Sequence, residues 1–464
     1  MTGETINVIG AGLCGALMSI YLARRGYTVE LFEARGDLRT ETLPAGRSIN
    51  LALANRGLRA LDEVGLGERV REQLTLMRGR MIHDESGHLE FQPYGQRPWE
   101  VIYSVSRPGL NALLLDAAEQ DHGVRIHFSH ACTAIDLEAD ELVVLDEATA
   151  RERTLRLSPT VAADGAGSVI RQALEAAGVT ESRTDWLAHA YKELTIPPSG
   201  YDHWRIEPHA LHIWPRGGYM LIALPNLDHS FTVTLFLPAE GEPGFDQLDT
   251  PEAVRRFFDA AFPDTRALIP DLERAFFENP TAPLGTVRCE PWNAGGQVCL
   301  VGDAAHAIVP FHGQGMNAAF EDCLELDRHL EMSDGDFEKA FRRFSLTRKP
   351  SAEAIADMAL ENYVEMRDSV RDPAFILRKA VAFELERRAP DRFVPRYSMV
   401  MFRDDVSYAD AQRRGAVQRE ILDQVTAGRE ALEECNLDVA EALVHARLEP
   451  LGATGAGLRE ARKT

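Results

Sequence analysis

The chain has 464 residues, 45% of them hydrophobic and 26% charged, which makes it an ordinary globular protein of about three packing units and excludes a disordered or fibrous one. Fifty Lys and Arg stand against 72 Asp and Glu, a net charge of −22. That balance excludes sequence-independent binding to nucleic acid or to an anionic membrane, since both need a basic face. The six cysteines (Cys14, Cys132, Cys289, Cys299, Cys323, Cys435) form no C-x-x-C pair and no metal-like Cys/His spacing, so reduced thiols in a cytoplasmic protein are expected, with no metal. No apolar run approaches the roughly 18 residues of a membrane span, and no signal peptide or membrane anchor is expected.

Thr5 to Ile9 is a short β-rich run, followed at once by Gly10-Ala11-Gly12-Leu13-Cys14-Gly15. Ala16 to Arg25 reads as a helix ended by Gly26, and Tyr27 to Phe32 as a strand that delivers Glu33. In this order, Gly10 permits the tight turn, Gly12 lets the backbone approach a pyrophosphate, and Gly15 lets helix and strand pack closely. The helix N-terminus offers unpaired N–H groups to phosphates, and an acid about 20 residues on accepts hydrogen bonds from a ribose. The unit therefore predicts dinucleotide binding.

Met77 to Gln92 reads as extended and polar-interrupted, and Ser104 to Glu119 as a helix beginning near Ser106-Arg107. Arg125 to Phe128, Glu141 to Asp146 and Thr154 to Leu157 read as strands, and Val161 to Gly165 as a small-residue strand end with a turn. Tyr191 to Phe236 is strand-rich, including Ala210 to Trp214, Tyr219 to Leu224 and Phe231 to Leu237. Val298 to Val301 is a buried-strand run leading into Gly302-Asp303, and a helical pattern covers Ala318 to Glu331. From Phe337 to about Val439 the reading is mainly helical, broken at Pro390 and Pro395.

Three blocks, Gly10 to Gly15 with Glu33, Asp164-Gly165 with Ser168 and Arg171, and Gly302-Asp303 with Gly313-Gln314-Gly315-Met316-Asn317, resemble the single-component FAD-dependent aromatic hydroxylases. Further blocks, Gly46 to Leu53, Met77 to His83, Pro93-Tyr94-Gly95, Val309 to Asn317, Leu360 to Tyr363 and Pro395 to Met399, resemble the members of that family that hydroxylate L-kynurenine, and together they cover most of the chain. The resemblance implies an α/β fold: a discontinuous Rossmann-like FAD-binding domain (1–75, 102–180, 285–345) interleaved with a β-sheet substrate-binding domain (76–101, 181–284), then a helical C-terminal region (346–464). It implies FAD contacts at Gly10, Gly12, Cys14, Gly15, Phe32, Glu33, Ala34, Arg35, Ala52, Arg107, Cys132, Asp303, Met316 and Asn317. It also implies that Arg80, Tyr94, Asn362 and Tyr397 hold the amino-acid end of the substrate. NADPH as transient electron donor, O₂ as co-substrate and transfer through a flavin C4a-hydroperoxide follow from the same likeness. The absence of a HExxH, a G-x-S-x-G elbow or a Cys/His pairing agrees with chemistry carried by the flavin.

Spacing alone leaves several positions open. Arg78 and Arg80 are two apart and would share a face on a strand, so only the resemblance selects Arg80. Met358, Asn362 and Glu365 share a helical face, which is either a solvated helix edge or a wall of the substrate pocket. Pro310, Phe311, Met220, Ile222 and Phe236 are either walls for an aromatic ring or plain core. His312 is either a structural hydrogen-bonder or a proton-transfer group. Anthranilate or a hydroxybenzoate is an alternative substrate, and a non-hydroxylating flavin-binding redox protein is an alternative class. Because anionic ligands must approach a negative protein, Arg47, Arg80 and Arg107 are the local cations expected to attract them.

Overall fold

The computed structural model describes residues 3–40, 50–200, 203–369 and 372–452. Arg47 and the motif residues 46–49 lie outside the described residues.

Thr5–Ile9 is the hub of a six-stranded sheet. It pairs in parallel with Thr28–Phe32 on one side and Thr160–Ala162 on the other. Arg125–His127 extends the sheet past Thr28–Phe32, while Val298–Leu300 and then Asn293–Ala294 extend it past Thr160–Ala162. Only the Asn293–Ala294 pairing is antiparallel. A parallel sheet is covered on both faces, so its strands are apolar runs without alternation; Ile6, Val8, Val161 and Leu300 are all buried. The helix Leu13–Arg24 is likewise buried along most of its length.

A seven-stranded sheet runs in the order Thr281–Glu290, Glu181–Ile196, Phe231–Pro238, Met220–Pro225, Ala210–Pro215, Gly79–His83, Leu89–Pro93. Its neighbours are antiparallel except where Gly79–His83 meets Ala210–Pro215 in parallel, joining two distant parts of the chain. One face packs on helices Pro251–Ala261 and Leu272–Glu278 through Trp214, Leu235, Phe258 and Phe276. The other turns Ile82, Met220 and Phe236 toward Phe311 and Tyr363.

The structure sharpens the expected elements between residues 77 and 120. The helix expected to begin near Ser106-Arg107 does begin at Arg107, where Ser106 accepts a hydrogen bond from the Gly109 N–H (3.3 Å) as its cap, but Ser104 belongs to the strand Ile102–Ser106 before it. The extended stretch from Met77 resolves into the Gly79–His83 and Leu89–Pro93 hairpin. Arg78 therefore precedes its strand, and the shared-face expectation fails: Arg78 is exposed and Arg80 buried. The Pro251–Ala261 helix begins at a local start signal, Thr250 followed by Pro251, with the Thr250 side chain accepting from the Ala253 N–H.

The C-terminal region packs a long helix, Phe337–Val364, against Tyr408–Thr426, which in turn packs on Arg396–Phe402, Pro373–Arg388 and Leu437–Arg447. The Pro390 and Pro395 break falls between two of these helices. Among the described residues no helix is long and apolar enough to cross a membrane.

A buried ionic network ties this region to the first sheet. Asp322 is fully buried, and its Oδ1 accepts from Arg348 Nε (2.6 Å). Its Oδ2 meets His306 Nε2 (2.6 Å) and accepts from the Gly302 N–H (2.9 Å). Glu321 bridges Arg348 (2.6 Å) and Arg56 (2.8 Å). Burial opposes ionisation of Asp322, but His306 and Arg348 hold its carboxyl below the usual range. Removing one partner of such a pair leaves an uncompensated buried charge. Asp322→Ala should therefore destabilise the protein by about 3–5 kcal/mol in denaturant titration.

Candidate active site

The nucleotide end is built by close approach. Gly10 has φ of +94°, and a Cβ there would stand 2.6 Å from the Ala163 carbonyl oxygen. A Cβ on Gly15 would stand 1.9 Å from the Gly10 oxygen, whereas one on Gly12 would meet nothing within 4 Å. The first and third glycines are thus consumed by packing, and the second leaves the helix N-terminus open to a ligand. Glu33 is buried at the end of its strand: Oε2 accepts from the Ala11 N–H and Oε1 from the Arg35 N–H, each at 2.9 Å. Burial pushes this carboxyl up, but Arg35 and the two backbone donors hold it below the usual range.

Two more segments converge here. Gly302, at φ +57°, turns the chain so that a Cβ would press on Cys14 Sγ at 3.0 Å and Ala319 at 3.2 Å. Asp303 follows, exposed, in the first turn of Asp303–His306. The helix Gly315–Met332 meets that turn at Ala319 and Asp322, and Asn317 ties its start to the Asn50–Leu53 strand by donating to Ala52 O (2.8 Å) and accepting from the Ala54 N–H (2.9 Å). The Asn317 side chain is therefore occupied by the protein. Met316 is buried in the same turn, Ala52 is half-buried, Ala34 and Arg35 are exposed, and Phe32 stacks on His127 at 4.8 Å. Arg107 is exposed at the start of its helix, and Cys132 is half-buried in the adjoining three-stranded sheet. The open Gly12, the exposed Asp303 and the buried, unpartnered Asp164 Oδ1 fit a dinucleotide.

The second half of the site lies against the seven-stranded sheet. Arg80 is buried on Gly79–His83, its guanidinium 4.9 Å from the Tyr397 ring and its Nη1 3.5 Å from Glu365 Oε1. Burial opposes its charge, but Tyr397, Glu365 and Tyr94 more than offset that. Tyr94 stacks on Tyr397 at 5.8 Å, and Tyr397 on His312 at 5.3 Å. Arg80 Nε, the Tyr94 hydroxyl and His312 Nδ1 are all buried without a hydrogen-bond partner. Three unpartnered polar atoms around one aromatic stack are costly unless a ligand satisfies them.

Asn362 donates to the Phe311 carbonyl (2.6 Å) from the end of Phe337–Val364, and Glu365 opens the π-helical turn that follows it. Met220, Phe236 and Phe311 form a buried apolar cluster with Ile222 packed against it, while Pro310 is exposed at the start of a short turn. The sequence reading assigned no role to Tyr363, which stacks on Phe311 at 3.9 Å, although its place beside Asn362 was a signal. Lys379 had no such signal; burial first, and Arg80 second, push its ammonium down to about 8.

The FAD binding domain family model matches residues 4–358. The kynurenine 3-monooxygenase of Myxococcus xanthus (strain DK1622) is 50% identical over 447 residues, covering 96% of this chain and 96% of the relative. That of Stenotrophomonas maltophilia (strain K279a) is 46% identical, covering 97% and 98%. Among solved structures, the tetrameric form of 2-methyl-3-hydroxypyridine-5-carboxylic acid oxygenase superposes with a TM-score of 0.63 at 20% identity, covering 83% of this chain and 98% of that one. P. aeruginosa PqsL in complex with 2-aminobenzoylacetate gives 0.63 at 20% identity, covering 79% and 97%. The chain belongs to the FAD-binding hydroxylase family. It is an FAD-dependent monooxygenase.

The glycine geometry separates fold from cofactor binding. Gly12→Ala should fold with an unchanged apoprotein melting temperature yet bind FAD at least tenfold more weakly, whereas Gly15→Ala should lower the melting temperature of the apoprotein itself. Burial pushes the His312 imidazole down to about 3, while an unfolded imidazole titrates near 6.5. The unfolded chain takes up the proton first as pH falls, so stability should drop between about 6.5 and 3, with a shallower slope in His312→Gln.

Proposed function

We propose that this enzyme converts L-kynurenine to 3-hydroxy-L-kynurenine, with NADPH as electron donor and O₂ as oxygen source. The observation that carries the reading is the preformed anion site, where buried Arg80 Nε and the buried Tyr94 hydroxyl lack partners beside an apolar cluster. The full-length relatives named for this substrate support it.

Kynurenine has an amino acid at one end and an aniline ring at the other. Its carboxylate would take the Arg80 fork and the Tyr94 hydroxyl, a charge-assisted arrangement that a lysine point charge cannot reproduce. Glu365, 3.5 Å from Arg80, would face the ammonium beside that carboxylate. Tyr397 closes the same end by stacking on Tyr94. The ring would then lie on Met220, Ile222, Phe236 and Phe311, where apolar walls hold one ring carbon in place and exclude water.

Gly12, Asp303 and the first turn of Gly315–Met332 would hold FAD, which when bound supplies the oxygen transfer. The aniline nitrogen already enriches the ring carbon in electrons, so the protein needs no strong base. His312, kept neutral by burial, can hold a proton at Nδ1. Anthranilate or a hydroxybenzoate has no α-ammonium to answer Glu365, which favours the amino-acid substrate.

Arg80→Met should raise the kynurenine Kd by about 100-fold or more while FAD occupancy, read from the flavin absorbance, stays intact. Arg80→Lys should recover only part of that loss. Turnover of kynurenine under isotopically heavy O₂ should place one heavy atom in the product. NADPH oxidation that yields only hydrogen peroxide would count against hydroxylation.

A further inference from the structure

Gln314 precedes the first turn of Gly315–Met332 and is fully buried, yet its side chain makes no capping bond to that helix. Its Oε1 instead accepts from the Tyr408 hydroxyl at 2.7 Å, and its Nε2 donates to Met401 Sδ at 3.0 Å. Both partners belong to C-terminal helices, Tyr408–Thr426 and Arg396–Phe402.

Tyr408 is itself fully buried. Its ring lies 4.1 Å from the Arg56 guanidinium and 5.7 Å from that of Arg348. These are the arginines that pair with Glu321 and Asp322 on the same Gly315–Met332 helix. The ring is thus fully engaged by packing and cation–π contact, and packing alone would be served by phenylalanine. The hydroxyl adds one specific bond, made to the residue at which the cofactor-facing helix begins.

The first-turn N–H groups of that helix have no partner within it and favour negative charge. Their aim depends on how Gln314 is held, since the Gln314 carbonyl accepts the first helical bond from the Ala318 N–H (2.8 Å). We infer that Tyr408 is a positioning residue for the flavin, acting through Gln314 to hold the start of Gly315–Met332 against the cofactor. In this arrangement the C-terminal layer sets how well the protein stabilises the negative charge of reduced flavin. The inference rests on FAD binding alone and is independent of which aromatic is hydroxylated.

The test uses full-length protein carrying Tyr408→Phe, Gln314→Met, or both. Removing either partner should raise the FAD Kd about tenfold and make the two-electron midpoint potential more negative. In the double variant, Tyr408→Phe should add nothing to Gln314→Met, because both remove the same bond. Apoprotein melting temperatures report separately on folding, and the Gln314→Met shift in potential repeats the measurement from the other side. FAD affinity and potential equal to wild type, or strictly additive effects of the two substitutions, would overturn the inference and reduce Tyr408 to a packing residue.

Discussion

The flavin end of this enzyme hangs on the Asp322 carboxylate. One buried side chain accepts from the Gly302 N–H and pairs with His306 and Arg348, so it clasps the short Asp303–His306 turn at both ends. The charge is affordable inside the protein only because its oxygens are fully paired. Arg348 passes the constraint to Glu321, Glu321 to Arg56, and Arg56 to backbone carbonyls at Val400, Arg403 and Val406. A single electrostatic chain thereby joins the nucleotide-binding sheet to the C-terminal helices. Asp303 and Tyr397, at opposite ends of the site, are positioned by elements that this chain connects.

The net charge of −22 gives the molecule a field that repels anions such as a carboxylate or a nicotinamide dinucleotide phosphate. The site answers with local donors. Arg80 is buried where the effective dielectric is low, so its attraction for a carboxylate is large at short range and weakly screened. Its neighbours Tyr94 and Tyr397 present aromatic faces and hydroxyls, and Glu365 is its nearest acidic partner. Arg107, also expected to attract anions, stands exposed at a helix start, where its charge is screened.

Local signals were legible wherever a residue's role follows from its immediate neighbours. Gly10, Gly12, Gly15 and Glu33 sit in one strand-turn-helix-strand unit whose geometry is fixed within 35 residues, and the structure reproduces that unit with shifts of one to three residues at its ends. The Arg78/Arg80 choice was not legible, because side-chain alternation holds only inside a strand and Arg78 lies just before one. The Glu181–Ile196 strand was read only from Tyr191, since its first half is exposed and polar and carries no hydrophobic run. Tyr408 carried no signal at all, as its partners Gln314, Arg56 and Arg348 are 60 or more residues away.

By itself the sequence determined the dinucleotide-binding unit, because that is written in short-range spacing of glycine, acid and apolar residues, while the family, its flavin and the α/β fold followed from the resemblance of motif blocks spread along the chain. Tertiary structure alone decided which polar atoms are left without partners around Arg80, and which C-terminal side chain reaches the start of Gly315–Met332. The physical reason is that burial and hydrogen-bond satisfaction are properties of the packed chain. An arginine donor is left unsatisfied when the fold removes its water and supplies no complete set of protein partners, as at Arg80 Nε.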